Sequence, residues 1–387
     1  MPSPPQAVPF TIDVPDDLLA DLAERLARTR FARPTATGWG AGTDPDYLRE
    51  LVTYWRTDFD WRARERELNA VPHYTATLDG RRVHFVHLRA ATANGNRPPL
   101  PLILTHGWPS SFVEMLPLAA RLADPAAHGG HPDDAFDVVV ASLPGFVFSD
   151  LPAHGPVIPP VVADLWARLM TDVLGYAAFG AYGGDIGSHV TGFLGARHPQ
   201  RVLGIHTHHP NLHPVLDDAH PLSAAEQAYL TARSNGDDGD DGYAAIQSTR
   251  PDTLAAALLD SPAGLAAWIV EKYRAWGDCD GDLESRFSKD MLLTVATLYW
   301  ATGTIGSSFR PYYDDSRTPP LEAVDVPAGI RLTPEDRDYP REYAERTYRD
   351  LRQWRGPTRG GHFLPLEEPD LLADDLRDFF RPLRGGA

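Results

Sequence analysis

The amino-acid sequence predicts an α/β protein with a mostly parallel central sheet, a helical N-terminal extension and an inserted helical cap. Three observations carry that prediction. Short apolar runs alternate with helical stretches from residue 73 onward. The alternation stops at about residue 214 and resumes at about 317. Before residue 73 only helical periodicity is visible. Strands alternating with helices are the signature of a sheet covered by helices.

The extension spans residues 1–72. DDLLADLAERLARTRF repeats Leu18, Leu22 and Leu26 at helical spacing, and DPDYLRELVTYWRTDFDW repeats Leu48, Leu51, Val52 and Trp55. Pro34 and the glycine-rich stretch from Gly38 to Gly42 separate them. The first part of the core, residues 73–213, opens with HYTATLDGRRVHFVHLRA, a hairpin turning at Asp79-Gly80. PLPLILTHG, DVVVASLPG, FGAYGGDIG and VLGIHTHHP follow as buried strands, since continuous apolar runs suit a sheet covered on both faces. SSFVEMLPLAARLAD and VVADLWARLMTDVL are helices between them. Residues 214–316 read as the cap, inserted between the sixth and seventh core strands. Residues 317–387 return to the core with VPAGIRLTP and LRQWRGPT.

Composition narrows the function. The chain has 387 residues with 43% apolar content, enough for a large core. Its 53 acidic against 36 basic residues give a net charge of −17, which repels phosphate backbones and anionic lipid, so no nucleic-acid or membrane partner is expected. Only Lys272 and Lys289 are lysines, a bias read as compositional. Cys279 is the single cysteine, which excludes an intrachain disulfide and a cysteine zinc site. No signal peptide and no apolar run of about 18 residues is visible, so the expectation is a cytoplasmic protein.

The strongest chemical signal is AYGGDIGSH. Gly183-Gly184-Asp185-Ile186-Gly187 has the small-x-nucleophile-x-small form of a nucleophile elbow between strand and helix, the turn of the α/β-hydrolase fold. An aspartate at the tip can form an ester on an alkyl carbon. The plainer alternative is a glycine-rich turn whose Asp caps a helix. HGWP follows the third strand, where this fold supplies an oxyanion-hole N–H, making Trp108 and Ile186 the candidate donors. RGGHF, after the last strand, puts His362 where the chain order nucleophile, acid, histidine requires the base. After the seventh strand, TPED offers Glu335 and Asp336 as the acid. His206, His208, His209 and His213 cluster in HTHHPNLHP, but no carboxylate is near in sequence, and strand-end histidines are the better reading. The acidic runs near residues 240 and 280 lack the spacing of a calcium loop and read as solvated.

Together these segments resemble the microsomal-type epoxide hydrolases and their soluble bacterial relatives. The resemblance runs over nearly the whole chain: PFTIDVPDDLLADLAERLARTRF in the extension, HGWP, SLPGFVFSD, GGDIGS and RGGHFLPLEEPDLLADDLRDFF in the core, SPAGLAAWIVEKYRAW and LYWATGTIGSSFRPYY in the cap. It implies Asp185 as nucleophile, His362 as base, and Asp336 as the charge-relay acid, with Glu335 the alternative. It implies that Tyr243 and Tyr312 protonate the epoxide oxygen, and that Phe146 and Val147 belong to the substrate pocket. Relatives often carry Trp where Ile186 stands and a small residue at Val147, which puts substrate shape in question. The membrane anchor of microsomal members is absent. The implied partners are a small epoxide and water, with no cofactor and no metal; a homodimer is compatible. Ile186 suggests bulky or aromatic epoxides, as in a natural-product pathway. A haloalkane-dehalogenase-like hydrolase and an inactive ligand-binding homologue are the alternatives.

Overall fold

The structure is a computed structural model that describes residues 5–91, 97–216, 218–235 and 241–385. Its centre is a nine-stranded sheet: β1 (Val8–Phe10), β2 (His73–Leu78), β3 (Arg81–Leu88), β4 (Leu100–Thr105), β5 (Phe136–Ala141), β6 (Phe179–Gly183), β7 (Val202–Thr207), β8 (Ala328–Arg331) and β9 (Leu351–Arg355). The order is β1-β2-β3-β5-β4-β6-β7-β8-β9. β1, β2, β3 and β5 pair antiparallel; from β5 to β9 every pairing is parallel. The apolar runs become strands buried on both faces, with every residue of β5 and β6 buried. The hairpin turns on two residues with positive φ, Asp79 at 51° and Gly80 at 74°, the conformation a two-residue turn demands.

Strand β1 is an addition to the sequence reading, which gives residues 1–72 only helices. VPF is three residues long and carries too little pattern to be recognised alone. It binds the edge of β2 in register Val8 to Thr75. The insert consequently falls between the seventh and eighth of nine strands.

Among the described residues fifteen α-helices accompany this sheet. The first three are α1 (Asp16–Ala27), α2 (Pro45–Thr57) and α3 (Trp61–Leu68). Asp44 starts α2 by accepting the N–H groups of Asp46 and Tyr47, with Pro45 at the first helical position. In the core, α4 (Phe112–Ala123), α5 (Pro159–Arg168) and α6 (Ile186–Arg197) pack on the strands. The insert holds α7 (Ala224–Asn235), α8 (Gly242–Thr249), α9 (Pro251–Asp260), α10 (Pro262–Trp276), α11 (Lys289–Thr302) and α12 (Arg310–Asp314). After β8 come α13 (Arg341–Glu345), α14 (Leu364–Glu367) and α15 (Pro369–Phe380).

The N-terminal helices hold the inserted ones down. Arg25 on α1 pairs with Asp260 at the end of α9, Thr43 Oγ1 donates to Ala267 O on α10 at 2.7 Å, and Tyr54 on α2 donates to Asp290 on α11 at 2.9 Å. α10 and α11 are buried along most of their length, which explains why their apolar residues follow no single stripe. Among the described residues no single helix is long and apolar enough to cross a membrane; α9 and α10 reach that length and composition only together, across a 117° bend.

Parallel strands deliver their following loops to one edge of the sheet, where α/β proteins build sites. The loops after β4, β6, β7, β8 and β9 carry Trp108, Asp185, His209, Glu335 and His362 respectively.

Candidate active site

Asp185 stands between β6 and α6 with φ 52° and ψ −127°, a backbone conformation that L residues rarely adopt. The surrounding glycines make it feasible. A Cβ at Gly183 would overlap the carbonyl of Gly187, one at Gly184 the ring of His208, and one at Gly187 the carbonyl of Thr105. The strand, the turn and the helix start thus approach more closely than any side chain permits.

The Asp185 carboxylate points into the loop after β4. Its Oδ1 accepts the Trp108 N–H at 2.9 Å, and the Ile186 N–H lies close enough to the carboxylate to favour its ionised form. Burial raises the Asp185 pKa, and these two donors work against that rise by favouring the ionised form. Gly107 admits this approach, because a Cβ there would collide with the Asp185 side chain. The Asp185 amide donates to His209 Nδ1 at 2.8 Å.

His362 Nε2 lies 3.6 Å from Asp185 Oδ2. Burial lowers the His362 pKa to about 4, so the ring is neutral at neutral pH and able to accept a proton. Its loop is tightly tied. The Glu367 carboxylate accepts the N–H groups of Asp278, Gly361 and Phe363 at 2.8, 3.0 and 2.9 Å. His362 donates its own N–H to Trp276 O at 2.9 Å. His208, bonded to Tyr182 OH at 2.6 Å, meets the His362 carbonyl at 3.0 Å.

The two candidate acids behave differently. Both sit in the single turn Pro334–Asp336. A Glu335 carboxylate oxygen lies within 4.8 Å of a ring nitrogen of both His362 and His209. Asp336 turns to Thr333 Oγ1 at 3.5 Å and feels Arg233; burial raises its pKa to about 6. The trio of His209, Glu335 and His362 has the residue types of a metal site, yet an imidazole base beside its acid has the same appearance.

From the insert, Tyr243 on α8 and Tyr312 on α12 share the cavity of Asp185. Their rings meet edge to face at 5.9 Å, and Tyr243 adds to the rise in the Tyr312 pKa. The Trp108 indole stacks on Tyr243 at 5.3 Å and 9°. Burial, then the Asp185 charge, raises the Tyr312 pKa, keeping it a protonated donor. Its neighbour Tyr313 is 51% exposed.

Asp185, His362, Glu335, Asp336, Tyr243, Tyr312 and Ile186 share one cavity of about 1030 Å³. Leu143, Val157, Ile158, Val162, Val190 and Leu212 form much of its apolar wall. Phe146 and Val147 do not line it. Phe146 is buried against His106 and Tyr299, and Val147, with φ 48°, donates its N–H to Thr304 Oγ1. Their loop turns these side chains into the core, which the sequence of SLPGFVFSD does not reveal. His209, Glu367 and Trp276 are site residues that sequence reasoning missed. HTHHP flagged His209 only as one of a cluster. Of the acidic loops, DDGDD lies mostly outside the described residues, and Asp278 and Asp282 accept backbone N–H groups within the protein.

Residues 7–115 match the family model described as "Epoxide hydrolase N terminus". The chain is 43% identical to a putative epoxide hydrolase of Stigmatella aurantiaca, over 97% of this chain and 85% of the relative. It is 33% identical to epoxide hydrolase 1 of Sus scrofa, over 96% and 88%. Among solved structures it is similar to the Aspergillus niger epoxide hydrolase, with 30% identity, a TM-score of 0.83 and coverage of 98% and 97%. The juvenile hormone epoxide hydrolase of Bombyx mori follows at 28% identity, TM-score 0.82, and coverage of 98% and 94%.

The contact between Gly107 and Asp185 yields a prediction. Gly107→Ala should preserve the circular dichroism spectrum, because the change lies in a loop, while reducing kcat/KM at least about 100-fold by displacing the nucleophile. Near-wild-type kcat/KM in folded protein would contradict this geometry.

Proposed function

The chain belongs to the epoxide hydrolase family and is an epoxide hydrolase, and from that premise we propose that it opens a bulky, largely apolar epoxide through an ester on Asp185 and releases a vicinal diol. The observation that carries this reading is the Asp185 carboxylate held between two backbone N–H groups on one side and a neutral imidazole on the other.

In the first step Asp185 Oδ2 attacks an epoxide carbon. The ring C–O bond breaks, and the departing oxygen takes a hydrogen bond and then a proton from the tyrosine pair. A neutral epoxide would otherwise release an alkoxide at neutral pH, so a positioned acid is worth about 100- to 10,000-fold. Oδ1 becomes the ester carbonyl, already accepting the Trp108 N–H and with the Ile186 N–H beside the carboxylate. In the second step His362 takes a proton from water, and the resulting hydroxide attacks the ester carbon. The tetrahedral oxyanion gains from the same two donors, whose loss typically costs about 100- to 1,000-fold. Collapse expels the diol oxygen, which takes the proton of the new carboxyl group, while the His362 proton returns to the tyrosinate, so that Asp185 is again ionised and the diol is free. Tyrosine hydroxyls opposite the nucleophile suit a departing oxygen, which favours an epoxide over a haloalkane.

The core and its insert divide this work: residues 73–213 and 317–387 carry the triad, the cap of residues 214–316 carries the proton donors, and residues 1–72 brace the cap. The cavity volume, at the upper end for small-molecule sites, and the apolar wall around Ile186 support bulky or aromatic substrates.

His362→Gln should trap the ester, because alkylation needs no base. Incubated with an aryl epoxide, the variant should gain one substrate mass on the peptide containing Asp185, and a short alkyl epoxide should label more slowly. Unmodified protein with turnover blocked would assign His362 to the first step instead; faster labelling by the short epoxide would remove the bulky-substrate reading.

We take Glu335 as the acid, because its carboxylate lies within 4.8 Å of a His362 ring nitrogen while Asp336 turns to Thr333. Glu335→Gln should slow ester hydrolysis about 100-fold or more with ester formation little changed, and Asp336→Asn should have the smaller effect. The reverse ranking in single-turnover kinetics would move the acid to Asp336.

A further inference from the structure

Only two of the chain's basic residues are lysines, and one of them, Lys272 on α10, is 3% exposed. Its Nζ lies 4.6 Å from the centre of the Tyr243 ring and 5.3 Å from that of Trp276. Glu271 Oε2 is 2.8 Å from the same nitrogen. We propose that Lys272 is a positioning residue that acts through Tyr243: its buried ammonium, held against the phenol ring, stabilises the tyrosinate that forms when Tyr243 gives its proton to the opening epoxide.

Three features support this role. A cation near an aromatic face is attracted to the ring's negative face, and the attraction grows when water is excluded and when the ring acquires negative charge. The second tyrosine has the opposite surroundings: the charge acting most strongly on Tyr312 is the carboxylate of Asp185, which resists ionisation. The two phenols interact with each other, their ring centres 5.9 Å apart, so a bias in acidity decides which one loses its proton. The titratable groups that share this cavity with Tyr243 are Tyr312 on α12, Asp185 at the elbow, Arg233 on α7, Asp241 ahead of α8, Asp315 after α12, His189 on α6, His209 after β7, the acidic turn after β8 and His362. Lys272 and its partner Glu271 approach from α10.

The step balances. Asp185 Oδ2 forms its bond to carbon, the carbon–oxygen bond of the ring breaks, and the Tyr243 proton passes to that oxygen. The tyrosinate regains a proton derived from the hydrolytic water by way of His362. Tyr312 remains protonated throughout as the second hydrogen-bond donor.

This inference rests on the two-tyrosine reading above, and the test separates them. Ester formation is followed by rapid quench across pH in the full chain. Lys272→Met should slow it about 10- to 30-fold, the range of a desolvated cation–π contact. It should also move the alkaline limb, where Tyr243 loses its proton, to higher pH. In a Tyr243→Phe background the same substitution should add little further loss. A limb that stays in place, or equal slowing in both backgrounds, overturns the inference. A second measurement needs no Lys272 variant: in tyrosinate absorbance titrations, the tyrosine lost in Tyr243→Phe should ionise at lower pH than the one lost in Tyr312→Phe, and the reverse order overturns the inference. Unchanged ester formation in Tyr243→Phe would instead overturn the tyrosine reading itself.

Discussion

The close approach of three backbone segments and one side-chain ring around Asp185 is the constraint on which the rest of the site depends. The end of β6, the start of α6, the loop after β4 and the His208 ring converge at distances that only glycine allows. That crowding holds Asp185 at φ 52°, lifts its carboxylate above the sheet edge and turns the Trp108 and Ile186 amides onto it. Positive φ is costly for aspartate, of order 1–3 kcal/mol, and the surrounding packing must over-determine it. The His209 hydrogen bond to the Asp185 amide adds to this restraint by giving the turned-out N–H a fixed partner.

Burial then sorts the titratable groups by role. It makes His362 a neutral ring, and it keeps Tyr312 protonated. It also raises Asp185, where two amide donors oppose the rise and favour the anion. The same low-dielectric surroundings therefore favour a neutral imidazole and a protonated phenol, while oriented backbone dipoles support the Asp185 anion. Glu367 belongs to this arrangement without lining the cavity, since its carboxylate gathers three amides that shape the His362 loop.

How much of this could be read from the sequence depended on whether the signal was local. Buried parallel strands announce themselves as apolar runs, and the hairpin turn is encoded by Asp79-Gly80. The elbow is legible because steric crowding demands glycine at fixed positions around one side chain. Strand β1 is too short to carry a pattern and is defined by pairing with β2. Glu335 and Asp336 are adjacent, and only the turn they occupy sends one towards His362 and the other towards Thr333. Phe146 and Val147 lie in a recognisable loop whose side chains the fold turns inward. Tyr243 and Tyr312 lie on separate helices of the insert with no local motif, so a family resemblance alone could single them out. Lys272 passes for compositional bias until α10 is seen to run beneath Tyr243.

The account's central claim is that the oxygen added to the substrate comes first from Asp185 and only afterwards from water. A single turnover with enzyme in excess, carried out in water enriched in oxygen-18, tests it most directly. The account predicts an unlabelled diol and oxygen-18 in the carboxylate of Asp185, found by mass spectrometry of the peptide that contains it. Label in the diol of that first turnover, with none on Asp185, would mean that water attacks the epoxide directly and would contradict the ester mechanism.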